Sequence, residues 1–360
     1  MSNIIFLPIV DLFSRDRQEP VFGIMDSVSI YLRATFNLMQ IFNDVTELIG
    51  NTPIVRINKV VQGKVNIFAK LEFFNPGGSI KDRMALFILN EAEKKGLIGK
   101  EVVENSSGNT GAALAMISAV KGYKTTITIP DKMSSEKVEL IKAFGAEVVV
   151  TKTDVPYDSE ESYYSVARRI SNERGAFYPD QYNNLDNIKC HYETTGPEIW
   201  KQMEGKIDIL IAGIGTGGTI SGTGKYLKEM NPKVKVIGVD PEGSIFYDYF
   251  KSGKIIEPHT YKVEGIGEDY LVKAVDFSVI DDIIRVNDKE SFLMARRLAR
   301  EEGIFAGGSS GSAMVAALKV AASNKDKNIL VVFPDSGYRY MSKIYNDEWM
   351  EKYGFSEEEV

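Results

Sequence analysis

A lysine, an amide and several hydroxyls stand in this chain where backbone geometry could put them to chemical use. Lys81 lies in Asn75-Pro-Gly-Gly-Ser-Ile-Lys81-Asp-Arg83. A proline and two glycines make a tight loop there, and a helix follows from about Met84 to Lys95, stopping before Gly96. A lysine on rigid backbone at a helix entrance suits Schiff-base chemistry, because partial desolvation favours the free amine that attacks an aldehyde. A surface lysine after a turn fits the same stretch equally well. Three further loops stand at strand-to-helix junctions, where open α/β folds place ligands. Ser106-Ser-Gly-Asn-Thr110 offers hydroxyls, an amide and free N–H groups at a helix start, a set that suits a carboxylate. Gly215-Thr-Gly-Gly-Thr219 has the same physics with more glycine, so its backbone can wrap a phosphate. Ala306-Gly-Gly-Ser309-Ser-Gly311 presents a hydroxyl without a charge.

Elements that alternate strand and helix must hold these loops, the mark of a parallel sheet with covering helices. Val55 to Ile57 and Val65 to Lys70 read as short strands before the lysine loop. Strands Glu101 to Glu104, Lys124 to Ile129 and Glu147 to Thr151 alternate with helices Ala112 to Val120 and Ser134 to Phe144. Ser159 is positioned to cap a helix to about Glu173, and another helix falls near Thr194 to Met203. A second series has strands Ile207 to Ala212, Val234 to Val239, Ile283 to Val286 and Ile329 to Phe333, with helices to about Met230, Glu290 to Glu302 and Ala313 to Ala322. The two series predict an α/β fold of two domains with mainly parallel twisted sheets.

At 360 residues, 44% hydrophobic and 26% charged, the chain has the composition of a soluble globular protein. Its net charge of −7, without a basic stripe, argues against nucleic acid. Cys190 is the only cysteine, which excludes a disulfide framework and points to a reducing cytoplasm. His191 and His259 lack metal-ligand spacing, so no metal is expected. Residues 1–38 read as an extension of uncertain order, and Met39 is a candidate true start. The apolar run Ile4 to Val10 is too short to span a bilayer, and Asp11, Asp16 and Glu19 argue against a transit peptide.

A rival reading comes from Gly213-x-Gly215-x-x-Gly218 after a strand, with Asp240 following the next strand, the pattern of a dinucleotide fold. That would make the protein a nicotinamide-dependent dehydrogenase. It leaves the lysine loop and Ser106 to Thr110 without a task, and supplies no evident proton donor for hydride chemistry. A non-catalytic interaction module on an inherited scaffold is a third possibility.

One ligand set uses all four loops: pyridoxal phosphate on a lysine, with an amino-acid carboxylate beside it. From about Phe42 to Phe355 the sequence resembles the fold-type II pyridoxal-phosphate enzymes, the β-family that includes cysteine synthase and cystathionine β-synthase. The resemblance rests on Gly50-Asn-Thr-Pro53, Pro76-Gly-Gly-Ser-Ile-Lys81-Asp-Arg83, Ser107-Gly-Asn-Thr-Gly111, Gly215-Thr-Gly-Gly-Thr219 and Gly308-Ser-Ser-Gly311. It decides the question against a nicotinamide cofactor. The resemblance also implies that residues 39–85 plus 190–355 make the larger, cofactor-binding domain, and 86–189 the smaller, mobile one.

The resemblance implies that Lys81 carries pyridoxal 5′-phosphate and is the catalytic base. Asn109 would hold the ring hydroxyl, and Gly215, Thr216, Gly217, Gly218 and Thr219 the phosphate. Ser309 would face the ring nitrogen, where a neutral partner suits elimination better than racemisation. Ser106, Ser107, Asn109, Thr110 and Gln181 would bind the substrate carboxylate, with Tyr182, Gly265 and Glu268 further along the substrate pocket. The implied reaction is β-replacement on L-serine, or on an activated serine or cysteine, through an aminoacrylate. Asp180-Gln-Tyr-Asn183, Gly238-Val-Asp-Pro-Glu-Gly-Ser244 and Pro334-Asp-Ser336 lean toward the cystathionine β-synthase branch, with serine and homocysteine as substrates. O-acetylserine with sulfide, sulfide release from cysteine, and lanthionine formation are the alternatives. Two departures qualify the match: no cysteine or histidine precedes Cys190, so no haem is expected, and Glu268 stands where that branch has a tyrosine. The branch's paired regulatory modules would begin where this chain ends, so indifference to S-adenosylmethionine is expected. Small amino acids and thiols are the expected partners, with no membrane and a homodimeric assembly.

Overall fold

Two mainly parallel sheets carry the site, and their strands end where the four loops begin. The structure, a computed structural model, describes residues 41–356 apart from positions 62, 64, 154 and 157. The elements below belong to one compact unit, Asp44–Val360. The expected extension, residues 1–38, lies outside the described residues.

In chain order, β1 (Ile54–Arg56) and β2 (Asn66–Leu71) precede α1 (Lys81–Lys94). Next come β3 (Glu101–Asn105), α2 (Asn109–Lys121), β4 (Lys124–Pro130), α3 (Ser135–Ala143), β5 (Glu147–Thr151) and α4 (Tyr163–Arg174). Two short helices, α5 (Asp186–Glu193) and α6 (Thr195–Gln202), lead into β6 (Ile209–Gly213), α7 (Gly218–Met230), β7 (Lys235–Pro241) and α8 (Phe246–Ser252). The chain ends with β8 (Asp282–Val286), α9 (Asp288–Arg297), α10 (Gly308–Ala321), β9 (Asn328–Phe333) and α11 (Asp347–Lys352).

The larger sheet has the order β1-β2-β9-β6-β7-β8, parallel except for β1. The smaller is β3-β4-β5, all parallel. The central strands read as unbroken apolar runs because helices cover both faces. Alternation still decides which side chain meets which helix. Ile209, Ile211, Ile329 and Val331 pack with Ala313, Met314 and Ala317 of α10. Leu210, Ala212, Leu330 and Val332 pack on the other face with Ile220 and Leu227 of α7. The small sheet closes over Ala112, Ala113 and Ile117 of α2, with Val102, Ile127 and Ile129 beneath.

The sequence reading missed α5, α8 and α11. The helix expected near Thr194 to Met203 is α6, and the missed α5 joins it at Thr194. Helix α5 hides from an apolar-periodicity search because it buries Asn187 and His191 as well as Cys190. The cap of α4 is Ser162, whose Oγ accepts from Ser165 N at 3.2 Å. Ser159 instead holds the preceding turn through Glu161 N.

Candidate functional site

Lys81 is the first residue of α1, and two buried charges beside it fix that helix. Asp82 accepts from Gly77 N at 2.6 Å, and a side chain at Gly77 would put a Cβ 2.5 Å from Asp82 Oδ1. The Arg83 guanidinium bridges Glu72 at 2.7 Å and Glu198 at 2.9 Å. With the helix so anchored, Lys81 Nζ points at Thr216 Oγ1, 3.3 Å away. Burial pushes its amine down to about 8, while Glu268, Asp335 and Cys190 pull the other way. A lysine so tuned has roughly a tenth of its amine free at pH 7, against less than about a thousandth for an ordinary lysine.

After β3, the 106–110 loop turns at Gly108, whose φ is +132°. Asn109 donates through Nδ2 to Asp335 Oδ2 at 2.7 Å, while its buried Oδ1 has no partner among the described residues. Thr110 donates its hydroxyl to Gln181 Oε1 at 2.5 Å, and Gln181 Nε2 donates to Asn105 O at 3.0 Å. Glu104, a buried carboxyl pushed up to about 8 by desolvation, accepts from Gln181 N beneath them. Ser106 is buried, and its Oγ accepts from Gly108 N and Gly111 N, both at 2.9 Å. It braces the loop from inside and is not on the cavity wall, where Ser107 stands instead.

The glycine turn after β6 opens α7, and no side chain among the described residues caps that helix. Its first N–H groups are therefore free for an anion. Gly217 has φ +88°, and a Cβ there would stand 2.3 Å from Val275 and 2.6 Å from Ala274 O. At Gly218 a Cβ would meet Asn187 Oδ1 at 2.0 Å, so α5 presses directly on the turn. Asn187 Nδ2 donates to Thr216 Oγ1 at 3.0 Å. Thr219 Oγ1 lies 3.3 Å from His191 Nε2, whose other nitrogen lies 2.8 Å from Thr195 Oγ1. Burial, with Lys81 and Arg83 nearby, holds His191 neutral, well below the usual histidine range. Ser309 sits buried in the first turn of α10, another helix without a side-chain cap among the described residues.

A cavity of about 470 Å³ joins these parts. On its wall are Lys81, Ser107, Asn109 and Thr110, then Gln181 and Tyr182, with Gly215, Thr216, Gly265 and Glu268 opposite. Of the residues expected to form the site, Ser106, Gly217, Gly218, Thr219 and Ser309 lie behind this wall. Glu268 is half-buried, and burial together with Asp269 pushes its carboxyl up to about 8, against the pull of Tyr164, Tyr182 and Lys81. Tyr164 donates to its Oε2 at 3.3 Å. Rings of Tyr163, Tyr164, Tyr182 and Tyr270 crowd around it, with centroids 4.0–6.1 Å apart. Sequence reasoning missed Tyr163, Tyr164 and Tyr270, as well as Asp335 at the carboxyl end of β9. Only Asp335 carried a signal, its place just beyond a parallel strand.

Pyridoxal phosphate fits this donor set. An amine lowered by burial can carry its aldehyde, and the uncapped glycine turn can take its phosphate. The unpartnered Asn109 carbonyl oxygen and the Ser309 hydroxyl stand at the other two loops. The dinucleotide reading fails on Asp240, whose side chain is wholly buried beneath α8, with Oδ2 accepting from Tyr247 N at 2.8 Å, and so is out of reach of a ribose. Among the described residues no cluster could hold a metal ion, and no helix is long and apolar enough to cross a membrane.

Comparison with known proteins agrees. The family described as pyridoxal-phosphate dependent enzyme matches residues 45–335. The cystathionine β-synthase of Rattus norvegicus is 46% identical over 328 residues, covering 89% of this chain and 58% of the relative. That of Saccharomyces cerevisiae is 44% identical over 334 residues, covering 88% of this chain and 66% of the relative. The chain thus spans less than two thirds of the length of these curated relatives. A hydrogen sulfide-producing enzyme from Fusobacterium nucleatum, solved by crystallography, superposes with a TM-score of 0.77 at 40% identity, covering 84% of this chain and 99% of that one.

Proposed function

The chain belongs to the pyridoxal-phosphate dependent enzyme family, and from that membership we propose that it catalyses β-replacement on a serine-like amino acid, with an amino-acid thiol as acceptor. The observation that carries the reading is Lys81, its amine lowered to about 8 and aimed at the uncapped glycine turn, on one cavity wall with Asn109, Thr110 and Gln181. Lys81 would hold the cofactor, the turn its phosphate, Asn109 its ring hydroxyl and Ser309 its ring nitrogen. Bound there, the cofactor supplies an electron sink for the pair left at the α-carbon when its proton departs.

The chain's own residues do the rest. Ser107, Asn109 and Thr110, on the first turn of α2 and the loop before it, receive the donor carboxylate. Gln181, fixed by Asn105 and Thr110, closes that arm. Ser106 contributes by holding the loop's backbone. The free amine of Lys81 takes the α-proton and delivers a proton to the departing β-substituent. The acceptor's sulfur then bonds to the β-carbon, and a proton returns to the α-carbon. Glu268, in its cage of tyrosines, meets the acceptor's ammonium.

Serine and homocysteine are our first choice of substrates, supported by the relatives above. The Fusobacterium nucleatum enzyme favours a second reading, sulfide release from cysteine with a thiol added in its place. We further infer that residues 86–189 move as a smaller domain, since the three-stranded sheet falls wholly within them. A homodimer in the cytoplasm completes the proposal; the single cysteine, buried, supports the compartment.

The test is Lys81→Ala. The wild type incubated with pyridoxal phosphate should turn yellow, and the variant should lose both the lysine-bound absorption and turnover. A colourless wild type would sink the assignment of Lys81.

A further inference from the structure

One short segment, 334–336, touches three of the four loops that meet at the site. Ile80 N donates to Pro334 O at 2.8 Å, one residue before Lys81. Gly307 N donates to Asp335 O at 3.0 Å, two residues before Ser309. The Asp335 side chain, 1% exposed, accepts from Asn109 Nδ2 at 2.7 Å and from the Tyr340 hydroxyl at 2.6 Å, both on Oδ2. Gly307 has room for no side chain, since a Cβ would stand 2.1 Å from Asp335 Oδ1. That oxygen, like Asn109 Oδ1, is buried without a partner among the described residues.

The chemistry of the pair gives the contact a direction. An asparagine amide is nearly symmetric in shape, and rotation about its last bond would exchange carbonyl and amino ends at little steric penalty. A carboxylate only accepts, so a buried Asp335 admits the amino end of Asn109 and rejects the carbonyl end. One N–H is thereby fixed, and the second N–H and the orphaned carbonyl are left for the cavity. Tyr340 holds the carboxylate in turn, and its own ring lies under the Lys137 ammonium, 4.7 Å from the centroid. Lys137 is buried and pairs with Glu264 at 2.5 Å. Asn109 opens the helix that follows β3 of the three-stranded sheet and Asp335 follows β9 of the six-stranded one, so this contact sets where a group held by Asn109 lies relative to Lys81.

We propose that Asp335 is the positioning residue that fixes the Asn109 amide against the cofactor ring and ties it in register with the lysine loop. The inference rests on the pyridoxal-phosphate reading of the site. Asp335 itself moves no proton in it; it acts through Asn109.

The experiment is a double-mutant cycle on the full chain, comparing wild type, Asp335→Asn, Asn109→Ala and the double variant. Cofactor affinity is read by fluorescence titration with pyridoxal phosphate, and the lysine-bound absorption band by spectroscopy. A hydrogen bond to a charged group is worth roughly ten- to a hundred-fold in an equilibrium constant. Asp335→Asn should weaken affinity by at least about tenfold and displace the band, whereas adding it to Asn109→Ala should change affinity by less than about twofold. An equal loss in both backgrounds would make Asp335 a general brace and overturn the proposal, as would an Asp335→Asn protein with wild-type affinity and band. If Asp335→Asn fails to fold, the cycle is run with Tyr340→Phe. A coupling of about threefold or more to residue 109 is then expected, and its absence overturns the proposal. A wild type with no lysine-bound band would sink the underlying reading and this inference with it.

Discussion

Replacing Glu268 with glutamine removes its charge and little else, and the consequence should depend on pH in a way that can be worked out. Its carboxyl is pushed up to about 8 by burial and by Asp269. At pH 7.5 roughly a quarter of it is ionised, and at pH 9 about nine-tenths, an increase of about fourfold. If the ionised form meets the ammonium of an acceptor amino acid, a half-buried pair is worth about 1–2 kcal/mol, or roughly 5- to 30-fold in acceptor KM. The assay compares acceptor KM of Glu268→Gln with wild type at matched salt from pH 7 to 9. The ratio at each pH cancels the titration of the thiol itself. It should grow roughly two- to fourfold between pH 7.5 and 9, while release of the leaving group from donor alone changes far less. Glu268→Tyr should shift preference toward homocysteine. A ratio near one, or one that is flat with pH, would refute the role of Glu268.

Three further outcomes follow from the geometry. Gly217→Ala must place a side chain at φ +88° and within 2.3 Å of Val275, which should lower stability by roughly 2–4 kcal/mol and weaken pyridoxal phosphate binding; unchanged melting and affinity would contradict the packing described. Burial holds Asp82 and Asp240 up to about 7 and Glu104 and Glu268 up to about 8. The folded cofactor-free protein therefore keeps protons that the unfolded chain has released; Lys81 and His191, whose shifts act the other way, offset only a little of this, and stability should fall between pH 6.5 and 8 by roughly 4 kcal/mol. A melting temperature that rises across that window would show these carboxyls already ionised. Purified protein supplied with haem should show no stoichiometric Soret band, since no cysteine or histidine precedes Cys190; tight haem binding would show that another ligand pair had been overlooked.

The legibility of the site in the sequence followed its chemistry. Lys81, Asn109, Thr110 and the glycine turn were readable because helix entrances and positive-φ glycines leave local marks, and the alternating apolar runs placed them at strand ends. What was hidden depends on long-range packing. Asn187 and His191 lie on a helix whose buried side is partly polar, so periodicity passed over it, yet they press on Gly218 and Thr219 from behind. Gly218 was assigned to phosphate binding alone, whereas the approach of Asn187 already requires it. The tyrosines around Glu268 come from α4, from the segment before α5 and from the segment between α8 and β8, three stretches with no common spacing. Ser106 had the residue type for substrate binding, but two backbone N–H groups of its own loop take its hydroxyl. Asp240 carried the dinucleotide signal and turned out to be buried under α8.

The central claim, β-replacement by this cavity, meets its most direct test in steady-state product analysis of the pyridoxal phosphate-loaded chain. Donors L-serine, O-acetyl-L-serine and L-cysteine would each be paired with homocysteine, cysteine and sulfide. In deuterated solvent, product should form with an amino-acid thiol as acceptor, cystathionine from serine and homocysteine foremost, and should carry deuterium at the α-carbon. No β-substituted product from any pairing, with the donor's α-hydrogen left unexchanged, would contradict it.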